Sequence, residues 1–229
     1  MPAGILGDHK LDYIISGTPR SGTGFMAKLF TSAGIPIGHE MFFGMPGHGY
    51  YPQNARGDSS WMAVPFIHNF DSTVIHIVRN PLKTLASLLH RETFSEERMA
   101  KSIYTFFKTV RVPSLDRYEG LDKYLAFYLD WNKAIDQVEN IRVKLEDVTK
   151  DPKPMLDDLG IKYDPAKLYN KPYNQSNNPT PNLTLDNFTT CTPELLEKFI
   201  KLARSYGYEL EEVIDNETGD TLTSDASMI

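Results

Sequence analysis

The sequence predicts a three-layer α/β domain, a central parallel β-sheet flanked by helices. Three observations carry this. Short apolar, β-branched runs at residues 13–16, 73–78 and 141–145 are separated by stretches of helical apolar periodicity, the alternation that builds a parallel sheet. The run Thr73-Val74-Ile75-His76-Ile77-Val78 is almost continuously apolar, as expected of a strand covered on both faces. The first run leads through a glycine-bearing turn, Gly17 to Gly22, straight into a helix, which makes the fold P-loop-like in its opening unit.

That opening helix is expected over residues 22–33, stopped by Gly34 with Pro36 just beyond. Residues 35–60 carry eight glycines and prolines in loop-like surroundings and read as a long, functional loop segment. Ser59 or Ser60 is placed to cap a short helix from Trp61 to Asn69. After the second strand, Asn80 reads as an N-cap and Pro81 as the first residue of a helix reaching His90. Two longer helices follow, over 95–110 with Met99, Ile103, Phe106, Phe107 and Val110 inward, and over 121–138 with Tyr124, Leu125, Tyr128, Trp131 and Ile135 on one stripe. The third strand, 141–145, precedes a short helix over 152–159. The Asn- and Pro-rich stretch 173–183 reads as irregular, and Thr192-Pro193 opens a last helix ending at Gly207. The organisation expected is a single domain over residues 10–212 and a polar, flexible C-terminal tail over 213–229.

Composition narrows the function. A net charge of −6 argues against nucleic acid as the main partner. No apolar run is long enough to span a bilayer. The first residues lack the apolar core of a secretion signal, and one cysteine, Cys191, suits a reducing compartment; together they point to the cytoplasm. His39, His48, His68 and His76 have no metal-ligand spacing, so no metal is expected, and His76 reads as a hydrogen-bonded core residue.

Two constellations carry chemistry. In Gly17-Thr18-Pro19-Arg20-Ser21-Gly22-Thr23-Gly24 the glycines keep the spacing of a nucleotide-triphosphate P-loop. Its phosphate-binding Lys is replaced by Thr23, and its Mg²⁺-binding hydroxyl by Gly24; Arg20 is the cation that remains. Such a loop can hold an oxyanion on backbone N–H groups at a helix N-terminus. The second is Arg79-Asn80-Pro81 with Ser87 two turns into the next helix. Arg79 leaves the C-terminal end of a strand, where open α/β sheets bind ligands. An arginine fork with a hydroxyl suits phosphate, so the pair points to a ligand with two separated anionic groups.

On these residues the chain resembles the sulfotransferases that use 3′-phosphoadenosine 5′-phosphosulfate (PAPS). Thr18-Pro19-Arg20-Ser21-Gly22-Thr23 is similar to their 5′-phosphosulfate loop, and Arg79-Asn80-Pro81 with Ser87 to their 3′-phosphate motif. Arg20, in place of Lys, is nearer to the tyrosylprotein, carbohydrate and bacterial trehalose branches than to the cytosolic small-molecule branch. Shorter matches lie at residues 142–147 with Asp151-Pro152, and at 203–209. The resemblance implies metal-free, in-line transfer of a sulfuryl group to an acceptor hydroxyl, a carbohydrate or small molecule being favoured. It implies that Thr18, Pro19, Arg20, Ser21, Gly22, Thr23 and Gly24 bind the 5′-phosphosulfate, and that Arg79 and Ser87 bind the 3′-phosphate. Arg20 would neutralise charge on the bridging oxygen, and Glu40, shortly after the first helix, would be the general base. Its neighbour His39 is chemically competent for the same role. Residues 41–57 and 173–183 would line or close the acceptor site. Two other readings stand beside this one: a P-loop nucleotide kinase, against which the missing Lys and Mg²⁺ ligand count, and a nucleotide-binding or interaction domain without turnover.

Overall fold

The computed structural model describes residues 10–44, 52–94, 101–171 and 181–210. Five strands form one sheet in the order β2-β3-β1-β4-β5: β1 (Tyr13–Ser16), β2 (Ile37–His39), β3 (Gly57–Ser59), β4 (Thr73–Val78) and β5 (Ile141–Lys144). Every pairing is parallel, with Ile15 opposite Ser59 on one side and Ile75 on the other. Strand alternation divides the core. Ile15, Ile75 and Ile77 face α1 (Thr23–Ser32), α6 (Leu145–Lys150) and α7 (Lys153–Asp158), where they meet Phe25, Met26, Phe30 and Leu156. Ile14 and Val74 face a 3₁₀ helix (Trp61–Asn69), α3 (Lys101–Val110) and α5 (Gly120–Asp136), where Trp61, Phe107, Phe127 and Trp131 pack. The three-layer expectation therefore holds. Trp131 lies in this core, its indole N–H donating to Trp61 O at 3.0 Å.

The sequence signals for β1, β4 and α2 (Pro81–His90) match the structure residue for residue. Asn80 Oδ1 accepts from Lys83 N–H at 3.1 Å, with Pro81 opening α2 as expected. The helix α1 ends in a Schellman pattern: Gly34 has φ of 90°, and the N–H groups of Gly34 and Ile35 reach Thr31 O and Phe30 O. Other parts differ. The segment 35–60 contributes β2 and β3 to the sheet instead of being loop alone. Each is three residues long and contains a glycine, so neither gives a strand pattern on its own; Gly57 is needed because a Cβ there would lie 2.2 Å from Tyr13 O. The third strand stops at Lys144, because Leu145 already begins α6. The helix at 61–69 is 3₁₀, with Pro65 inside it. The helix α4 (Pro113–Arg117) was not legible. Residues 95–100 of the expected 95–110 helix, and the 213–229 tail, lie outside the described residues. Among the described residues no helix is long and apolar enough to cross a membrane.

His76 is fully buried, with Nδ1 3.0 Å from Asp136 Oδ1 and Nε2 2.9 Å from Asn132 Oδ1. Asp136 also accepts from Arg142 Nη2 at 2.6 Å and Tyr206 OH at 2.7 Å, so one carboxylate ties β4, β5, α5 and the end of α8 (Pro193–Ser205) together. Burial pushes Asp136 up, but the donors His76, Tyr206 and Arg142 outweigh it and hold the group down at about 2. A carboxyl held below its unfolded value stabilises the fold above the unfolded value, and this is lost as pH falls through the folded one. The expected contribution is about 2 kcal/mol at neutral pH, fading between roughly pH 4 and pH 2. Urea unfolding of wild type and Asp136→Asn across pH 2–7 checks this: the stability gap should close toward pH 2, and a gap constant with pH would refute it.

Candidate active site

At the end of β1 the chain turns at once. Ser21 N–H donates to Thr18 O at 3.1 Å, closing the four-residue turn Thr18-Pro19-Arg20-Ser21. Pro19 takes the second place, where its fixed φ fits, and Arg20 takes the third with φ of 75°. That place ordinarily belongs to glycine, and a non-glycine residue there costs on the order of 1–3 kcal/mol. The surroundings hold it: Arg20 Nε donates to Ser87 Oγ at 3.0 Å, and Arg20 O accepts from Arg79 Nη1 at 3.1 Å. Gly17 lets the loop approach β4, since a Cβ would lie 2.2 Å from Ile77 O. Gly22 has φ of 109°, where a side chain would be strained, and a Cβ there would press on the Leu145 side chain at 2.6 Å.

Gly22 is also the N-cap of α1, and no side chain caps that end. The N–H groups of the first turn, around Thr23, Gly24 and Phe25, have no acceptor inside the helix and carry its positive end. Ser21 is fully buried, and its Oγ has no hydrogen-bond partner. A buried hydroxyl without a partner costs roughly 1–3 kcal/mol, which an oxyanion in the loop would relieve.

Charge points the same way. Burial, then Arg91, then Arg79 pull the Arg20 guanidinium below its ordinary value, while Glu40 opposes them. Burial likewise lowers Arg79, against the charges of Glu146 and Tyr208. Arg20 thus stands close to two further arginines, Arg79 and Arg91, with Glu40 and Glu146 as the opposing carboxylates. Ser87, paired in the sequence reading with Arg79, bonds to Arg20 and so links the two motifs.

Glu40 stands just beyond β2, with φ of 56°. Its Oε1 is 3.8 Å from His39 Nε2, which lies 3.4 Å from Thr23 Oγ1. The structure therefore brings Glu40 and His39 to the anion loop. Burial, with a contribution from Lys28, pushes His39 down to about 4, so its ring is neutral at neutral pH and adds no countercharge to Glu40. The backbone after Glu40 is held by Asp58, a fully buried residue of β3 that the sequence reading missed. Asp58 Oδ1 accepts from Met41 N–H, and Oδ2 from Phe42 and Phe43 N–H, all at 3.0 Å. Burial raises Asp58 against the pull of these donors. Glu146 was also missed as a site residue. Its Oε1 accepts from Asn80 N–H at 2.9 Å and its Oε2 from Tyr208 OH at 2.7 Å, which pins the turn that carries Arg79. Lys144 Nζ adds a bond to Gly207 O at 2.6 Å. The shorter matches at 142–147 and 203–209 meet here. Residues 45–51 and 172–180, parts of both expected acceptor-site segments, lie outside the described residues. Among the described residues, no group of three His, Cys, Asp or Glu side chains could hold a metal ion.

A sulfotransferase from Alicyclobacillus acidocaldarius has a similar structure, with a TM-score of 0.51 and 16% identity over 87% of this chain and 100% of that one. The chain has the sulfotransferase fold. Two further sulfotransferase-fold structures match at lower scores. The sulfotransferase domain of the Synechococcus PCC 7002 olefin synthase has a TM-score of 0.48 and 16% identity over 89% of this chain and 98% of that one. Mouse SULT7A1, solved in complex with PAP, has a TM-score of 0.42 and 18% identity over 69% of this chain and 62% of that one. No protein-family model and no curated protein matches the sequence.

Proposed function

We propose that the chain is a PAPS-dependent sulfotransferase that acts on a hydroxyl of a carbohydrate or small molecule. The observation that carries this reading is the joining of Arg20, Ser87 and Arg79 by hydrogen bonds beside the uncapped end of α1. A donor with a phosphosulfate at one end and a phosphate at the other fits this constellation: the partnerless Ser21 Oγ and the first-turn N–H groups of α1 suit the former, Arg79 and Ser87 the latter. When bound, PAPS would supply the sulfuryl group. The protein's own residues supply positioning and charge, as in phosphoryl transfer. Glu40 takes the proton of the acceptor hydroxyl as its oxygen gains the sulfuryl group. Arg20 neutralises the charge left on the departing bridging oxygen of 3′,5′-adenosine bisphosphate (PAP). His39, neutral beside Glu40, leaves the carboxylate without a countercharge from its ring.

Calorimetry tests the donor class. PAP is expected to bind in the absence of any metal, and Mg-ATP is not. Labelled PAPS should then transfer label to a panel of sugars and alcohols. Binding of Mg-ATP alone would favour a nucleotide kinase, and binding of neither would make the loop purely structural.

A further inference from the structure

We infer that Asp58 is a positioning residue for the transfer reaction, acting on Glu40 through the backbone of residues 41–43. The inference rests on the reading of Glu40 as the general base.

The chain makes an abrupt change of direction as it leaves β2. Glu40 N–H completes the sheet ladder by donating to Ser59 O at 3.2 Å, and Glu40 then takes its left-handed φ of 56°. The next three N–H groups, of Met41, Phe42 and Phe43, all turn back onto one carboxylate. Three consecutive backbone donors around an anion form a nest, and here the anion is the protein's own Asp58, fully buried. Two glycines are shaped to the same arrangement. A Cβ on Gly38, opposite Asp58 in the β2–β3 register, would lie 2.9 Å from Asp58 Oδ1 and 2.6 Å from Met41 Cβ. A Cβ on Gly44 would lie 1.9 Å from Glu40 O and 2.4 Å from Glu40 Cβ. Ser60 Oγ adds a bond to Phe43 O at 3.4 Å.

A buried carboxylate is a costly device for holding a turn when neutral groups could do so. What it gives is a fixed direction: with both oxygens engaged, the turn cannot rotate about β2, and the Cα–Cβ bond of Glu40 keeps one aim. An error of about 1 Å in the placement of a catalytic group can cost about a hundredfold in rate. Asp58→Asn keeps the shape but turns an amide NH₂ toward one or more of the same N–H donors. The turn must then shift.

Single-turnover transfer from labelled PAPS is the measurement, for wild type, Asp58→Asn, Glu40→Gln and the double variant, with PAP affinity measured alongside. The expected signature is a roughly 10- to 100-fold fall in the transfer rate for Asp58→Asn with PAP affinity unchanged, and no further fall when it is added to Glu40→Gln. A merely structural role would lower PAP affinity as well, or would slow the double variant further; either result overturns the inference. Gly38→Ala presses on the same turn while leaving the carboxylate in place, and should show the same signature; it decides the matter if Asp58→Asn does not fold. Full-rate transfer by a folded Asp58→Asn protein, with Glu40→Gln slow, overturns the inference and leaves the function standing. Full-rate transfer by Glu40→Gln removes Glu40 as the base, and the inference falls with it.

Discussion

Glu40→Gln is expected to lower the sulfuryl-transfer rate constant by about 10²–10⁴-fold, the range for removing a positioned general base. PAP binding should be nearly unchanged. The substitution keeps the shape of the side chain and every backbone bond of the 40–44 turn, so the loss reports proton transfer and not folding. Burial holds the neighbouring His39 down at about 4, below an ordinary imidazole and no more basic than an ordinary carboxylate. Rapid-quench single-turnover assays with labelled PAPS and a saturating acceptor separate this effect from product release. A rate within a factor of a few of wild type would exclude Glu40 as the base.

The second large effect is expected on donor binding. Arg79→Ala should weaken PAP affinity by about 1.5–3 kcal/mol, the range for a hydrogen bond to a charged group, or roughly 10- to 150-fold. Part of the loss comes from the ligand. Part comes from the protein, because Arg79 Nη1 also donates to Arg20 O and steadies the strained turn beneath it. Arg79→Lys keeps the charge but not the planar fork, so it should recover only part of the affinity. Isothermal calorimetry of the three proteins with PAP, without metal, measures both differences. Equal affinity in all three would place the 3′-phosphate elsewhere.

The halves of the site that were legible are those fixed by local sequence. A continuous apolar run, a glycine spacing and an Asn-Pro helix start announce β1, β4 and α2, and they place Arg20 and Arg79 just beyond strand ends. The rest depends on tertiary pairing. The strands β2 and β3 exist because the sheet offers them edges, β1 to β3 and β3 to β2; alone, Ile37-Gly38-His39 and Gly57-Asp58-Ser59 have no strand pattern. Asp58 could not be singled out, because a lone aspartate in a glycine-rich stretch reads as a turn residue; only the return of 41–43 onto it gives it a role. Glu146 was within view as part of a matching stretch, yet its partners Asn80 and Tyr208 lie 66 and 62 residues away in sequence.

That last arrangement ties the donor pocket to the far end of the domain. The stretch 206–208 follows α8, yet the hydroxyl of Tyr208 engages Glu146, which in turn holds the turn that carries Arg79. A chain cut just before Tyr208 keeps the anion loop, Arg20 and Arg79 in its sequence but loses that clasp, so a shortened C-terminus would be felt at the opposite end of the chain's own numbering, in the grip on the donor.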